Sequence, residues 1–282
     1  VTHFAAIVEV RTIYRLRNTW ALCYNVNKVR LEKMKKIIKQ TNLNLVYPRI
    51  MEYRKKFANS EDILQQYFMP STILPIPEQV QDEVPRIIAQ TKNGHSVLNI
   101  ALSVSSFTTD YNGDFVSDWN KCKEYLAQRC SDIYKIIDSM TENNNTFVGL
   151  ITNVEIDDLD GTGLKILKKS LFDNEAAKMG KLYDLSCKLT YVYKKQYYIN
   201  LTLQNLREFS AQHYSNGRTC ITGERKHIVS ISIDINDRYA ANNDVNYKST
   251  KEAFDEILHI TSNIIDNKLE NLVRKGEFVY DK

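Results

Sequence analysis

One C-terminal stretch holds the residue types that nucleophilic catalysis needs. Within "HYSNGRTCITGERKHIVSISIDIND", Cys220, His227 and Asp234 could serve as nucleophile, base and orienting carboxylate. His227 and Asp234 are seven positions apart, and an odd separation puts two side chains on opposite faces of an extended strand. We therefore interpret the stretch as a glycine-containing loop that leads into a central strand. No residue is predicted to be catalytic, and a hydrolase with a cleft near these three residues stays as an alternative.

Two further stretches imitate ligand sites without meeting their requirements. In "DDLDGTG", aligning Gly161 with the glycine of a calcium loop puts Ile156 at the first ligand position and Leu167 where a bidentate glutamate is needed. "GTGLKILKKS" has leucine where a phosphate-binding loop has the glycine that precedes its lysine, Lys168. The sequence predicts no metal and no cofactor.

A single histidine follows an Asn-Gly pair in "PRIIAQTKNGHSVLNIALSV". Asn93 and Gly94 tolerate the positive φ angles of a type I′ turn, so the stretch predicts a β-hairpin with strands over 86–91 and 95–108. The apolar residues change phase near Leu98–Asn99, which suggests a bulge there. His95 has no acidic or cysteine partner within ten residues, and we assign it a structural role.

Basic residues are concentrated near the N-terminus. Between Lys28 and Lys56, ten basic residues stand against two acidic ones, a local charge of +8 that leaves the rest of the chain at −4 within its total of +4. Such a segment could contact nucleic acid or an acidic protein, although a solvated helix face is the commoner explanation. The candidate contact residues are Lys28, Arg30, Lys35, Lys36, Lys39, Arg54, Lys55 and Lys56.

Composition bounds the class of protein. A chain of 282 residues with 43% hydrophobic and 26% charged residues fits one large folded domain or two smaller ones. No apolar run approaches the length of a membrane span, and the five cysteines contain no C-x-x-C pair, so neither a disulfide framework nor a zinc site is indicated. We expect a cytoplasmic protein with free thiols and no membrane contact.

Hydrophobic periodicity predicts the elements. A strand is expected over 4–16, a helix around "NKVRLEKMKKIIKQT" with Leu31, Met34, Ile37 and Ile38 on one stripe, and a helix from Ser60. A long helix is predicted over 116–140. The second half predicts a strand over 146–156, a short helix, three strands and a long helix over 250–275, opened by a capping box of Ser249 and Glu252.

Each half thus has the order strand, helix, meander, long helix. We predict an α+β fold of two similar lobes, each an antiparallel sheet packed by a long amphipathic helix. The lobes would be residues 1–142 and 143–282, with one continuous domain as the alternative.

Several stretches together resemble a known group of proteins. "PEQVQDEVPRIIAQTKNGHSVLNIAL", "FTTDYNGDFVSDW", "FVGLITNVEI" and "SIDINDRY" with "FDEILHITSNIIDNKLENLV" resemble a sporadically distributed family of uncharacterised prokaryotic proteins of similar length. The resemblance brings no enzymatic activity and no catalytic residues. Its scattered distribution implies mobile genetic loci, such as those for phage defence or toxin–antitoxin pairs.

These observations favour a binding function over a catalytic one. We expect a non-enzymatic interaction or regulatory protein that works in a larger assembly, with a protein partner or a second copy of the chain. The first alternative is a nucleic-acid-binding protein that uses residues 28–56.

Overall fold

The structure is a computed structural model that describes residues 34–77, 79–157, 161–172 and 182–280. The described residues form α1 (Tyr53–Ala58), α2 (Trp119–Thr141), α3 (Gly163–Leu171), α4 (Arg238–Asn243), α5 (Lys251–Asn263) and α6 (Leu269–Lys275). A π-helical turn, Ile264–Lys268, joins α5 to α6. None of the described helices combines the length and the apolar character that crossing a membrane requires.

Nine strands of the described residues form one antiparallel sheet. They are β1 (Lys35–Val46), β2 (Thr72–Ile73), β3 (Ile87–Gln90), β4 (Ser96–Ile100), β5 (Val104–Asp110), β6 (Phe147–Asp157), β7 (Ser186–Tyr193), β8 (Tyr197–His213) and β9 (Thr219–Asn236). Their order across the sheet is β2-β3-β4-β5-β1-β6-β9-β8-β7. The predicted α+β class is confirmed. The strands of both halves lie in one sheet, however, because β1 pairs with β6 at its centre.

The helices and one face of the sheet share a hydrophobic core. Leu43 of β1, Leu150 of β6, Ile137 of α2 and Ile257 of α5 are all buried in the same cluster. On β1, β6 and β8 the buried residues alternate with half-exposed ones over most of each strand, and on β9 they do so over residues 229–236. This alternation is typical of a sheet that buries one face only.

The helix predicted around residues 27–41 is wrong for its described part. Residues 35–46 are the central strand β1, and the predicted stripe residue Leu31 lies outside the described residues. Ile37 and Ile38 satisfy a helical spacing, but Thr41, Leu43 and Leu45 are buried in strict alternation with Asn42 and Asn44. Pairing with β5 on one side and β6 on the other stabilises the extended form. The strand predicted over 4–16 also lies outside the described residues.

The hairpin at residues 85–104 is confirmed, with three corrections. The turn is not type I′, because Gly94 has a positive φ but Asn93 does not. β3 and β4 flank the turn, and Gly94 has a φ of 74°. The predicted second strand over 95–108 is two strands, β4 and β5, which pair with each other after a turn at residues 101–103. The burial of Ser96, Leu98 and Ile100 alternates without interruption, so the predicted change of phase near Leu98–Asn99 is wrong.

The start of α2 was predicted more accurately than the N-terminal capping of α5. Helix α2 begins after Asp118, whose carboxylate accepts the backbone N–H groups of Asn120 and Lys121, close to the predicted start. The Ser249–Glu252 capping box is wrong, because the N-cap is Thr250 and the Ser249 hydroxyl instead donates to Asp237.

The helix predicted from Ser60 is a single 3-10 turn over Glu61–Leu64, preceded by α1. The Ser60 hydroxyl makes no capping bond there. It donates to the carbonyl of Lys56 and pairs with the hydroxyl of Ser139. The Ser60 hydroxyl therefore links α1 to α2 and does not cap a helix.

Strands β8 and β9 continue as a two-stranded arm. The residues from Phe209 to Gly223 were predicted as the end of a strand and a loop, but they pair across a turn at Gly217, where φ is 78°. The arm has two register shifts, and Ile221 within it is 63% exposed. The strand that leads back into the sheet is therefore much longer than its apolar pattern indicated.

Candidate functional site

The face of the sheet opposite the core cluster is polar. Because neighbouring strands are in register, alternate residues of six strands meet there, for example Asn42 with Thr108 and Thr202 with Ser232. We call this surface the polar face. Its half-exposed members are Asn42, Asn44, Asn99, Ser106, Thr108, Asn153, Asn200, Thr202, Gln204, Ser230, Ser232, Asp234 and Asn236.

Side-chain amides hold the one carboxylate of this set. The Asn200 amide donates to Asp234 Oδ2 at 3.2 Å, and the Asn236 amide donates to Oδ1 at 3.0 Å. The hydroxyl of Thr190, on the neighbouring strand β7, donates to Asn200 Oδ1 at 2.9 Å. Both oxygens of Asp234 are therefore already engaged by neutral donors, and the carboxylate is fixed in place.

The centre of the polar face is an open depression of about 390 Å³. Lys39 Nζ lies 3.7 Å from Glu155 Oε2 beside it, and the Gln40 amide donates to Asp110 Oδ1 at 2.8 Å. It is lined by Lys39, Gln40, Asp110, Asn153, Glu155, Gln204, Ser230 and Ser232. Amides, hydroxyls and one ion pair can recognise a ligand by hydrogen bonds, whereas proton transfer would need a group that titrates near neutral pH.

The structure does not bring Cys220, His227 and Asp234 together. Cys220 lies on the arm opposite Gln212, and His227 lies opposite Arg207 with its Nδ1 3.4 Å from Glu224. Each of the two steps between them along β9 spans roughly 20 Å of extended chain. The sequence argument against a triad rested on opposite faces, and distance along the strand gives a second reason.

Two of the three other described thiols, Cys122 and Cys130, are poorly suited to nucleophilic chemistry. Burial raises the pKa of the Cys122 thiol to about 12, and burial also raises the pKa of Cys130. A thiolate is the reactive form, so both groups are inert at neutral pH. They serve as small apolar side chains of α2 in the core.

A chemical test separates an isolated thiol from an activated one. We expect His227→Gln to leave the rate of Cys220 alkylation by iodoacetamide unchanged within a factor of two, because a base some 20 Å away cannot deprotonate the thiol. The measurement is mass spectrometry of the modified peptide over time, with Cys23 and Cys187 replaced by serine. A slowing of tenfold or more would show that the imidazole reaches the thiol.

The structure distributes the described basic residues of the segment 28–56 over several elements. Lys28 and Arg30 lie outside the described residues. Lys36 of β1 donates to the carbonyl of Ile265 in the π-helical turn, and Lys39 borders the polar face. The remaining basic candidates of the described segment are Lys35 on β1 and Arg54, Lys55 and Lys56 on α1.

Two of the α1 residues make intramolecular ion pairs. Lys56 Nζ lies 3.0 Å from Glu142 and also donates to the carbonyl of Met140, and Lys55 lies 3.7 Å from Glu52. Arg54 stacks over the ring of Tyr53. The described part of the segment therefore spreads its charge over separate elements.

The described residues of "DDLDGTG" give no support for a calcium site. Asp157 Oδ2 lies 2.8 Å from Lys226 Nζ, and this hydrogen bond raises the pKa of the lysine. Throughout the described part of the chain, no three His, Cys, Asp or Glu side chains are grouped to hold a metal ion. Asp157, the first residue of "DDLDGTG", is thus held by the ammonium group of Lys226 on β9.

His95 occupies a structural position. Its ring lies 6.1 Å from the ring of Phe115, and its backbone N–H donates to Asn93 Oδ1 within the turn. Phe115 in turn packs on Tyr111 and Tyr125. The imidazole is therefore the outer member of an aromatic group between the hairpin and α2.

The sequence carries a partial signal for the polar face. Polar residues alternate with buried apolar ones in "SISIDIN" of β9 and in "NLNLV" of β1. Alternation shows that a strand has a polar side, but not which strands stand side by side.

Comparison of the sequence with protein-family models and with curated proteins finds no match.

Proposed function

We propose that this protein is a non-enzymatic binding component of a larger assembly and that its polar face is the docking surface. The observation that carries the proposal is a set of hydrogen-bonding side chains over six strands, all neutral except Asp234, on the side of the sheet that its core cluster leaves open. On β6 the set is interrupted by Ile151, which lies in register between Asn42 and Asp234. Within the described residues, the groups that could do bond chemistry are dispersed instead of converging.

The chemistry of the face favours a protein surface as the partner. Nucleic-acid sites need a concentration of positive charge, because phosphates dominate the affinity. The set that defines the polar face has no cation, and Lys39 at its depression is paired with Glu155. Amides and hydroxyls in fixed positions suit a polar, weakly charged protein patch with buried water at the contact.

The element order supports a further part of this proposal. Strand β1, helix α1, the meander β3-β4-β5 and helix α2 correspond in order to β6, α3, β7-β8-β9 and α5. We infer that residues 1–142 and 143–282 are two similar lobes, joined edge to edge through β1 and β6. A cytoplasmic location and an origin in a prokaryotic defence or toxin–antitoxin locus rest on composition and on the family resemblance, and belong to the same proposal.

Arginine substitutions on the polar face test the docking surface. We expect Asn42→Arg and Ser232→Arg each to reduce recovery of a stoichiometric partner at least tenfold, because a long side chain would project from the face and block close approach. The measurement is quantitative mass spectrometry of the tagged full chain, purified from cells that express it with its neighbouring genes.

Asn120→Arg is the matched control, because Asn120 is an exposed amide on α2, away from the polar face. It should keep the partner. Thermal unfolding should remain cooperative in all three variants, so that loss of the partner is not loss of the fold. Retention of the partner by both face variants would refute the assignment of the surface, and absence of any stoichiometric partner would refute the function.

A further inference from the structure

The outer edge of β7 presents unpaired backbone groups. Among the described strands, β7 ends the sheet and pairs with β8 alone. The backbone N–H of Asn205 donates to the carbonyl of Leu185, so the odd-numbered residues from 185 to 193 bond to β8. In an antiparallel ladder the alternate residues then point the other way. The N–H and C=O groups of Lys188, Thr190 and Val192 face outward, and no described residue pairs with them.

This edge lacks most of the features that protect exposed strands. Natural edges are commonly short, bulged, interrupted by proline or covered. The opposite edge, β2, has two residues, whereas β7 has eight and contains no proline, glycine or register shift. Its one charged residue is Lys188. β7 is therefore a regular template for another strand.

An apolar strip ends at the same edge. Leu189, Tyr191 and Tyr193 are only partly buried against the core. Phe278 and Tyr280 of the C-terminal segment cover them from the helix side, with ring centroids 4.9 Å from Tyr191 and 4.8 Å from Tyr193. The described residues supply nothing beyond this strip in the plane of the sheet.

We propose that β7 pairs antiparallel with β7 of a second copy of this chain, about a two-fold axis that is perpendicular to the sheet and passes midway between the two copies of Thr190. An axis between two copies of one residue keeps the two faces of the sheet aligned, because each residue then meets one of the same parity. Thr190 faces its own copy and the outward backbone groups of both strands bond to each other. The sheet becomes continuous across the dimer.

The side chains of β7 match themselves in this register. Leu189 lies opposite Tyr191 of the second copy, so the two apolar strips join on the helix side. Lys188 lies opposite Val192, which is 48% exposed in the single chain. The two copies of Lys188 stand four residues apart along the strands, roughly 13 Å, and do not oppose each other. Because β7 is complementary to itself in this register, we assign a second copy of this chain as its partner.

A cysteine at the axis reports the register. In a background with Cys23, Cys187 and Cys220 changed to serine, Thr190→Cys should form a disulfide-linked dimer on mild oxidation. Its two Cα atoms would be about 5.5 Å apart, within disulfide reach. Ser186→Cys is the control, because residue 186 would face residue 194 of the partner and not itself. The crosslink should be at least tenfold more abundant at position 190, and equal or greater crosslinking at position 186 would overturn the register.

Removal of one outward N–H tests the pairing itself. Light scattering after size exclusion should give the wild-type chain twice its mass of 32.8 kDa. Thr190→Pro removes an N–H that faces away from β8 and should raise the dimer dissociation constant at least tenfold, whereas Thr190→Val keeps the N–H and the dimer. A monomeric wild type at 100 μM would refute the proposal. If Thr190→Pro unfolds, the crosslinking result decides, and neither outcome depends on the partner of the polar face.

Discussion

Gly276→Ala should lower the free energy of unfolding by about 3 kcal/mol or more, through two independent effects. Gly276 ends α6 in the left-handed region with a φ of 73°, and its N–H donates to the carbonyl of Leu272. A residue with a Cβ pays for that conformation. In addition, a Cβ at this position would lie 1.8 Å from the carbonyl oxygen of Ser170 at the end of α3.

The close approach is the larger of the two effects, and a second glycine isolates it. Gly217 in the arm has a similar φ of 78°, but nothing lies within 4 Å of the place where its Cβ would be. We expect Gly217→Ala to cost about 1 kcal/mol. Urea unfolding followed by circular dichroism measures both variants. Equal losses at the two positions would contradict the contact between α3 and α6 at Ser170.

The sequence predicted those elements whose local pattern and tertiary pairing agree. In β9 the alternation of Ser230, Ser232 and Asp234 with isoleucines indicated a strand, and its pairing with β6 and β8 uses that same alternation. Helix α2 was located for a similar reason, since its apolar residues recur at three- and four-residue steps over its whole length. In both elements the local sequence preference and the long-range contacts favour the same conformation.

Where the two disagreed, long-range contacts decided the structure. Ile37 and Ile38 fit a helix stripe, but β1 is extended because it lies between β5 and β6, which follow it by more than fifty residues. No window of sequence around Ile37 contains that information. The polar face depends on this same placement, because Gln40 of β1 accepts a hydrogen bond from the amide of Asn153 on β6 and so joins polar residues of the two halves.

A buried carboxylate explains the failed capping box and leads to the second prediction of large effect. Asp237 follows β9, and its Oδ1 accepts the backbone N–H of Val148 at 2.7 Å. Its Oδ2 accepts the hydroxyls of Tyr247 and Ser249. One side chain thereby joins β6, the end of β9 and the residues before α5. Ser249 therefore serves this carboxylate instead of capping α5.

Asp237→Ala should cost about 3 kcal/mol in the free energy of unfolding, because it leaves buried donors without an acceptor. Asp237→Asn should cost less, since an amide oxygen can still accept from Val148. Chemical denaturation at neutral pH measures both losses. An alanine variant as stable as the parent would show that these hydrogen bonds contribute nothing to folding.

The ionisation of Asp237 should make this contribution depend on pH with a defined sign. Burial raises the pKa of the carboxyl above its usual value of 3.8, against the opposing effect of its hydrogen bonds. The native state then binds the proton more tightly than the unfolded state, so the parent loses stability as the pH rises from 3.8 through the raised native pKa. Asp237→Asn has no such ionisation and retains the other carboxylates. The stability of the parent minus that of the Asn variant should therefore fall with rising pH across this window. A difference that rose with pH would mean that the three donors outweigh burial and hold the pKa below its usual value.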